Sequence, residues 1–193
     1  MDRIIYTAMT GANAAAHRQA VLSNNLANAS TGGFRAEMST FRSVPLQGDG
    51  AKTRVFALEA TSGYVNTPGP VQRTGRNLDA MAAGNAWFAV QGLDGIEAYT
   101  RAGSFEVSAG GQLLTPTGLP VLSDGGAPIH VPPGAGVSLG SDGTRTAKAA
   151  GQPAQAIGRL KLATPTAEDP LKRGDDGLFR TASGDPMPND ANA

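Results

Sequence analysis

The chain has no cysteine, only two histidines among 193 residues, and equal numbers of basic and acidic side chains, 16 of each. Without cysteine there is no disulfide scaffold and no thiolate metal site. With two histidines, His17 and His130, a metal centre would need carboxylates as further ligands, and no spacing of Asp and Glu supplies them. The zero net charge gives no basic excess for nucleic acid or an anionic membrane surface. No apolar run approaches the roughly 20 residues of a membrane-spanning helix. Met1-Asp2-Arg3 and the polar residues that follow do not read as a cleaved signal peptide, so the expectation is a cytoplasmic chain or one that leaves by another route. Aromatic residues are scarce at 5%, and charged ones are 17%.

What the chain has instead is glycine and proline, 26 and 13 residues, which split it into short segments. One long stretch escapes them. Residues 3–29 hold no proline and one glycine, Gly11, and are rich in alanine. Ile5, Ala8, Ala12, Ala15, Gln19, Leu22 and Leu26 recur at three- and four-residue spacing, a heptad-like seam for helix–helix packing. Such a helix would be about 40 Å long. Its seam is mostly small, and each alanine buries little area, so the pattern suits close approach to a partner helix more than a lone helix on a core.

The helix is expected to end in Asn24-Asn25-Leu26-Ala27-Asn28-Ala29-Ser30-Thr31-Gly32-Gly33-Phe34-Arg35. Asparagine competes for backbone hydrogen bonds and favours helix ends, and a glycine pair stops the helix. By itself the stretch is also compatible with an ordinary polar helix end before a loop. Residues 34–76 read as a linker or arm with some β structure: Gly48-Asp49-Gly50 turns, 52–60 alternate like a strand, and Pro68-Gly69-Pro70 interrupts. From Asn77 onward, strand signals recur every eight to twelve residues or so between glycine-rich turns. They include Trp87-Phe88-Ala89-Val90, Ala98-Tyr99-Thr100, Leu113-Leu114 and 156–162, with Ile157, Leu160 and Leu162 facing a core. That rhythm predicts an antiparallel β-sandwich or barrel-like domain over 77–168, without a clear internal repeat. Residues 169–193 read as a polar tail in which Leu178-Phe179-Arg180 adds a last short strand, with 189–193 disordered. The fold expected is therefore mainly β with one long N-terminal α-helix over residues 1–33.

No group of residues reads as catalytic. There is no Gly-x-Ser-x-Gly elbow and no phosphate-binding loop. Glu168-Asp169 and Asp175-Asp176 lie in turn-like sequence and read as solvated carboxylates. Two other classes remain distinguishable. An exposed aromatic row around Trp87 would indicate a secreted adhesin-like or carbohydrate-binding β domain. A cleft joining His130 with a carboxylate and a nucleophile would indicate an enzyme.

Three ordered blocks carry a resemblance. Residues 20–35 (AVLSNNLANASTGGFR) resemble the N-terminal motif of bacterial flagellar rod and hook proteins. Residues 74–79 (TGRNLD) with 84–91 (GNAWFAVQ) resemble the turn-then-strand block that follows the linker in that family. Residues 98–105 (AYTRAGSF), 111–115 (GQLLT) and 118–122 (GLPVL) resemble the next block. Ala86 stands where the family usually has a turn glycine. The opening and the length are most similar to the proximal-rod branch, with the distal-rod branch as the rival.

The resemblance implies a structural, non-enzymatic component of the basal-body rod, without cofactor, catalytic or metal site. It would assemble with copies of itself and with other rod proteins. It would be exported through the flagellar type III apparatus without a cleaved signal, bind no nucleic acid and insert in no membrane. Family members end in a second long helix that pairs with the first. The sequence shows no such segment after Leu178, so the first helix is expected to be unpaired, and either poorly ordered or packed elsewhere. The subunit-interaction residues implied are Ile5, Ala12, Leu22 and Leu26 on the seam, the amides Asn24, Asn25 and Asn28, Gly32 and Gly33 at the exit, and Phe34.

Overall fold

The computed structural model describes residues 4–47, 54–132, 134–140, 144–148, 155–174 and 176–190. The chain divides into two compact units, Met1–Pro68 and Gly69–Ala193.

In the first unit an α-helix, α1 (Ile4–Ala27), is followed by two antiparallel strands, β1 (Glu37–Pro45) and β2 (Val55–Tyr64). The expected Gly48–Gly50 turn lies outside the described residues. The helix ends through successive tightening bonds: Ala29 N–H donates to Leu26 O, and Thr31 N–H to Asn28 O. Gly33 then takes φ 76°, a left-handed conformation natural to glycine, and sends the chain into β1. Ribbon register shifts by one residue between Met38 and Ser39, where β2 carries an extra residue beside Gly63. The helix is thus formed and packed, and its packing partner is the ribbon.

The second unit is built of short antiparallel strands: β3 (Trp87–Gln91), β4 (Glu97–Thr100), β5 (Glu106–Val107), β6 (Leu113–Leu114), β7 (Gly136–Leu139), β8 (Thr144–Lys148), β9 (Gln155–Arg159), β10 (Leu162–Ala163), β11 (Leu171–Arg173) and β12 (Phe179–Thr181). The main sheet has order β10-β3-β4-β12-β11, accompanied by a β7-β8-β9 sheet and a β5-β6 pair. The mainly-β, antiparallel character expected from the sequence is the fold observed. The last short strand expected at 178–180 is found at 179–181, with Phe179 paired to Tyr99, and 171–173 adds a further strand beside it. One correction concerns the end of the tail. Asn189 and Asp190 are held: Asp190 N–H donates to Leu162 O at 2.7 Å, and Leu162 N–H to Asn189 Oδ1 at 3.1 Å. Residues 191–193 lie outside the described residues.

The core fills from one face of the sheet. Phe88, Val90, Ala98, Phe105, Leu113, Val121, Ile129, Leu160 and Leu162 are buried together, with Ile157 packed against them. Phe88 meets Phe105 edge-on at 5.3 Å. The opposite face is covered too: Trp87 lies 4.6 Å from Phe179, and Arg101 sits over its ring at 5.2 Å. Both aromatics of the Trp87–Phe88 pair are therefore buried, where alternation alone places only one inside.

A recurring turn does most of the folding back. In Gly92–Ile96, Ser108–Gln112, Thr115–Leu119, Ser123–Ala127 and Gly174–Leu178, the first residue's N–H donates to the fifth carbonyl and the fourth residue's N–H to the first carbonyl. The fourth residue is always glycine, with φ from 77° to 82°. This is the three-residue hairpin loop that ends in a left-handed glycine bulge. The sequence hides the repeat because glycine at that one position is all that the five copies share.

Candidate assembly surfaces

The amide-rich stretch has a definite geometry. Asn25 faces the start of β1, where its Nδ2 donates to Glu37 O at 2.9 Å and its Oδ1 accepts from Glu37 N–H at 3.0 Å. One side chain thus satisfies both backbone groups of one residue, as a neighbouring strand would. Asn28 stays local: its Nδ2 donates to Asn24 O at 3.0 Å, and its Oδ1 accepts from Thr31 Oγ1 at 3.3 Å. Asn24 is exposed on the same last turns. Arg35 is buried and donates from Nη1 to Thr67 O, closing the exit of β2 against the entry of β1. A lone buried arginine in an arm has no spacing signal to announce this.

These contacts orient the helix. Thr7, Thr10, Ala14, Val21, Asn25 and Asn28 form its covered stripe, and Arg18 sits over Phe41 of β1 at 5.7 Å. The seam residues lie on the other side. Ile5 is 68% exposed and Leu26 78%, and Leu22 and Ala12 are exposed with them. Met9, next to Ile5 on the helix surface, adds to this apolar strip. Gly32 is exposed, with open space where a side chain would stand, and Phe34 is half-buried. The structure therefore splits the implied interaction residues into two sets. Asn25 ties helix to ribbon, whereas Ile5, Ala12, Leu22 and Leu26 face away from it.

Removing the Asn25 amide should loosen the junction measurably. Asn25→Ala loses two hydrogen bonds worth about 1 kcal/mol each. Amide exchange at Glu37 should accelerate by roughly tenfold or more, and Asn25→Asp, which sets a carboxylate against the Glu37 carbonyl, should be no milder. Unchanged exchange at Glu37 in both variants would mean the amide pair does not hold the strand.

In the second unit the motif residues clasp one another. Arg101 donates to Ala82 O at 3.0 Å and to Gly84 O at 2.6 Å, binding the turn before β3 to the end of β4. Arg76 Nη2 donates to Phe105 O at 3.2 Å, and its Nε lies 3.7 Å from Asp79. The turn tolerates Ala86 because the left-handed conformation falls on Gly84, at φ 50°, while Ala86 N–H simply bonds Ala83 O. Behind β4, Tyr99 OH donates to Glu97 Oε1 at 2.7 Å and accepts from Met187 N–H at 2.6 Å. Burial and the adjoining carboxylate raise the phenol well above its ordinary range. Lys161 completes the group, with Nζ 2.7 Å from Glu97.

The aromatic row named as a mark of a carbohydrate-binding domain is not formed. Trp87 is fully buried, so there is no aromatic row around it to stack on a sugar. His130 is exposed, with Nδ1 3.2 Å from Pro128 O. Among the described residues, no three His, Asp or Glu side chains group as metal ligands, and no helix is long and apolar enough to cross a membrane.

Comparison with known proteins places these features. Residues 5–35 match a family model described as flagella basal body rod protein, and residues 81–147 match the flagellar hook protein FlgE/F/G D1 domain. The chain is 45% identical to the flagellar basal-body rod protein FlgF of Escherichia coli K12, over 95% of this chain and 73% of that protein. It is 32% identical to FlgF of Caulobacter vibrioides, over 95% and 74%. It is 31% identical to the rod protein FlgG of Bacillus subtilis, over 98% and 80%. With the rod motif on the helix and its exit, and the D1 match on the β domain, the chain belongs to the family of bacterial flagellar basal-body rod proteins and is FlgF-like within it.

Proposed function

We propose that the protein is a subunit of the proximal rod, joined to copies of itself and to other rod proteins through the exposed strip of α1. The observation that carries this is the division of the helix. One stripe is fixed to the ribbon by Asn25 and Val21, and the opposite stripe offers Ile5, Leu22 and Leu26 with alanines between them. A helix pinned on one side and apolar on the other is prepared for a second helix, and its small residues allow close approach. Repeated head-to-tail contact of this kind builds an open helical tube and does not close into a ring. Export through the flagellar type III apparatus, without a cleaved signal, and a position in the periplasm-spanning part of the basal body accompany this reading. The higher identity to FlgF than to FlgG, 45% against 31%, favours the proximal over the distal branch.

The test is Leu22→Asp with Leu26→Asp in the full-length protein. Both side chains are exposed, so helicity and the thermal midpoint should hold, while recovery in purified basal bodies with the other rod proteins should fall to background. Recovery equal to wild type would remove the strip from the assembly.

A further inference from the structure

We propose that Asp124-Gly125 is a site of spontaneous backbone modification, where the Gly125 amide nitrogen closes on the Asp124 side chain to a succinimide that water opens to isoaspartate. The chemistry does not depend on assembly into a rod. The sequence holds five Asp-Gly pairs, at 49–50, 94–95, 124–125, 142–143 and 176–177, and the first and fourth lie outside the described residues. Of the other three, one is set apart by its place in the recurring five-residue turn. Asp94 and Asp176 are third residues of their turns, so the glycine after each is the fourth, and its N–H is engaged. Gly95 donates to Gly92 O at 2.9 Å and Gly177 to Gly174 O at 3.1 Å. Their carboxylates are engaged as well. Asp94 accepts from Ile96 N–H at 3.0 Å and from Arg180 at 3.0 Å, and Asp176 from Leu178 N–H at 3.1 Å and Arg180 at 2.8 Å. The Arg180 hydrogen bond holds the Asp176 carboxyl below its ordinary range, away from the neutral form that the reaction needs.

Asp124 is instead the second residue of its turn, and Gly125 the third. Gly126, the fourth, takes the bond to Ser123 O at 2.7 Å. Among the described residues, the Gly125 N–H meets only the carboxylate beside it, Asp124 Oδ1, at 3.0 Å. Cγ is one bond from that oxygen, so nitrogen and carbon lie near the roughly 3–3.5 Å of a near-attack pair. The pair is held there: Asp124 N–H donates to Arg159 O at 3.0 Å, and Ser123 Oγ to Ala127 O at 2.9 Å. Both residues are exposed, so water reaches them. In the closing step the N–Cγ bond forms and the Cγ–OH bond of the neutral carboxyl breaks, and the amide proton and the hydroxyl leave as water. A second water then opens the ring. Addition at Cγ restores aspartate, whereas addition at the backbone carbonyl leaves the chain running through Cβ and Cγ, longer by one carbon. That carbon falls inside a turn closed by Ser123 N–H on Ala127 O at 2.8 Å, beside the Ser123–Leu160 bridge, and loosens both.

The test is ageing of the folded full-length protein in heavy-oxygen water. Each ring opening leaves one heavy oxygen at the aspartate concerned, and fragment-ion mass spectrometry of the peptides locates it. Label at Asp124 should exceed that at Asp94 and at Asp176 by about tenfold or more. In urea, where the turns are gone, the three should label within about twofold of one another. Gly125→Ala, whose added Cβ would meet nothing closer than Ser123 Oγ at 3.9 Å, should keep the urea midpoint and lower the label at Asp124 about tenfold by shielding the nitrogen. Equal label at the three positions in the folded protein, the same excess at Asp124 in urea, or undiminished label in Gly125→Ala overturns the site.

Discussion

Gly103→Ala should strip the β domain of a large share of its stability. An added Cβ at Gly103 would stand 1.7 Å from the Ala80 carbonyl oxygen and 3.2 Å from the Phe88 ring. The first obstacle is backbone. It cannot swing aside, because Ala80 N–H donates to Gly103 O at 2.8 Å and the neighbouring residues Asp79 and Ser104 bridge the same two segments. Separating them forfeits hydrogen bonds worth about 1 kcal/mol each and pushes Phe88 off its edge-on contact with Phe105. The sum is about 3–5 kcal/mol, a large share of the 5–15 kcal/mol that holds a typical domain folded. Gly110→Ala is the control, since its added Cβ would meet nothing closer than Ser108 Oγ at 3.8 Å. Urea unfolding followed by Trp87 fluorescence reads both. A Gly103→Ala midpoint within about 1 kcal/mol of wild type would mean that the two segments part easily.

Gly103 also illustrates why the family blocks could be read from sequence before their reasons could. The blocks at 74–79, 84–91 and 98–105, with the link at 80–83 between the first two, contain the residues that clasp each other: Arg76 on Phe105 O, Arg101 on Ala82 O and Gly84 O, and Gly103 against Ala80. Their residue types are visible in the sequence, but a clasp across about twenty residues has no periodicity. The helix was legible because its signal is local, an alanine-rich run without proline. Its orientation was not. The leucine and isoleucine seam looked like the packing face, yet the stripe against the ribbon is held by Ala14, Val21 and the Asn25 amide. Hydrophobicity locates a surface that wants covering without saying whether the same chain covers it. The strand at 171–173 was obscured for the opposite reason. At three residues, set close to glycine and aspartate, it is too short to show alternation, and its place in the sheet comes from its pairing with β12.

Two buried cations in the β domain should respond with opposite signs to the same substitution. Lys161 is almost fully covered and meets Glu97 at 2.7 Å, and Tyr99 OH donates to the same carboxylate. Lys161→Met would strand that carboxylate beneath the sheet and should cost about 3 kcal/mol. Arg145 on β8 is fully buried, yet among the described residues none of its three guanidinium nitrogens has a hydrogen-bond partner. Among the described residues, what compensates it is the Phe105 ring, 4.9 Å from Cζ. Burial pushes the guanidinium down to about 10. Since the folded value lies below the ordinary one, the unfolded chain holds the proton more tightly, and the charge destabilises the fold throughout the pH range below about 10. That penalty lifts only as pH rises above about 10. It amounts to about 3 kcal/mol at neutral pH, against about 2 kcal/mol for a desolvated cation–π contact. Arg145→Met keeps the length of the side chain and removes the charge, so it should stabilise the domain by about 1 kcal/mol, evenly from pH 6 to 9 or so. Urea midpoints across that range decide the matter. A loss of stability in both variants would mean that Arg145 finds hydrogen-bond partners in solution and that its burial is compensated.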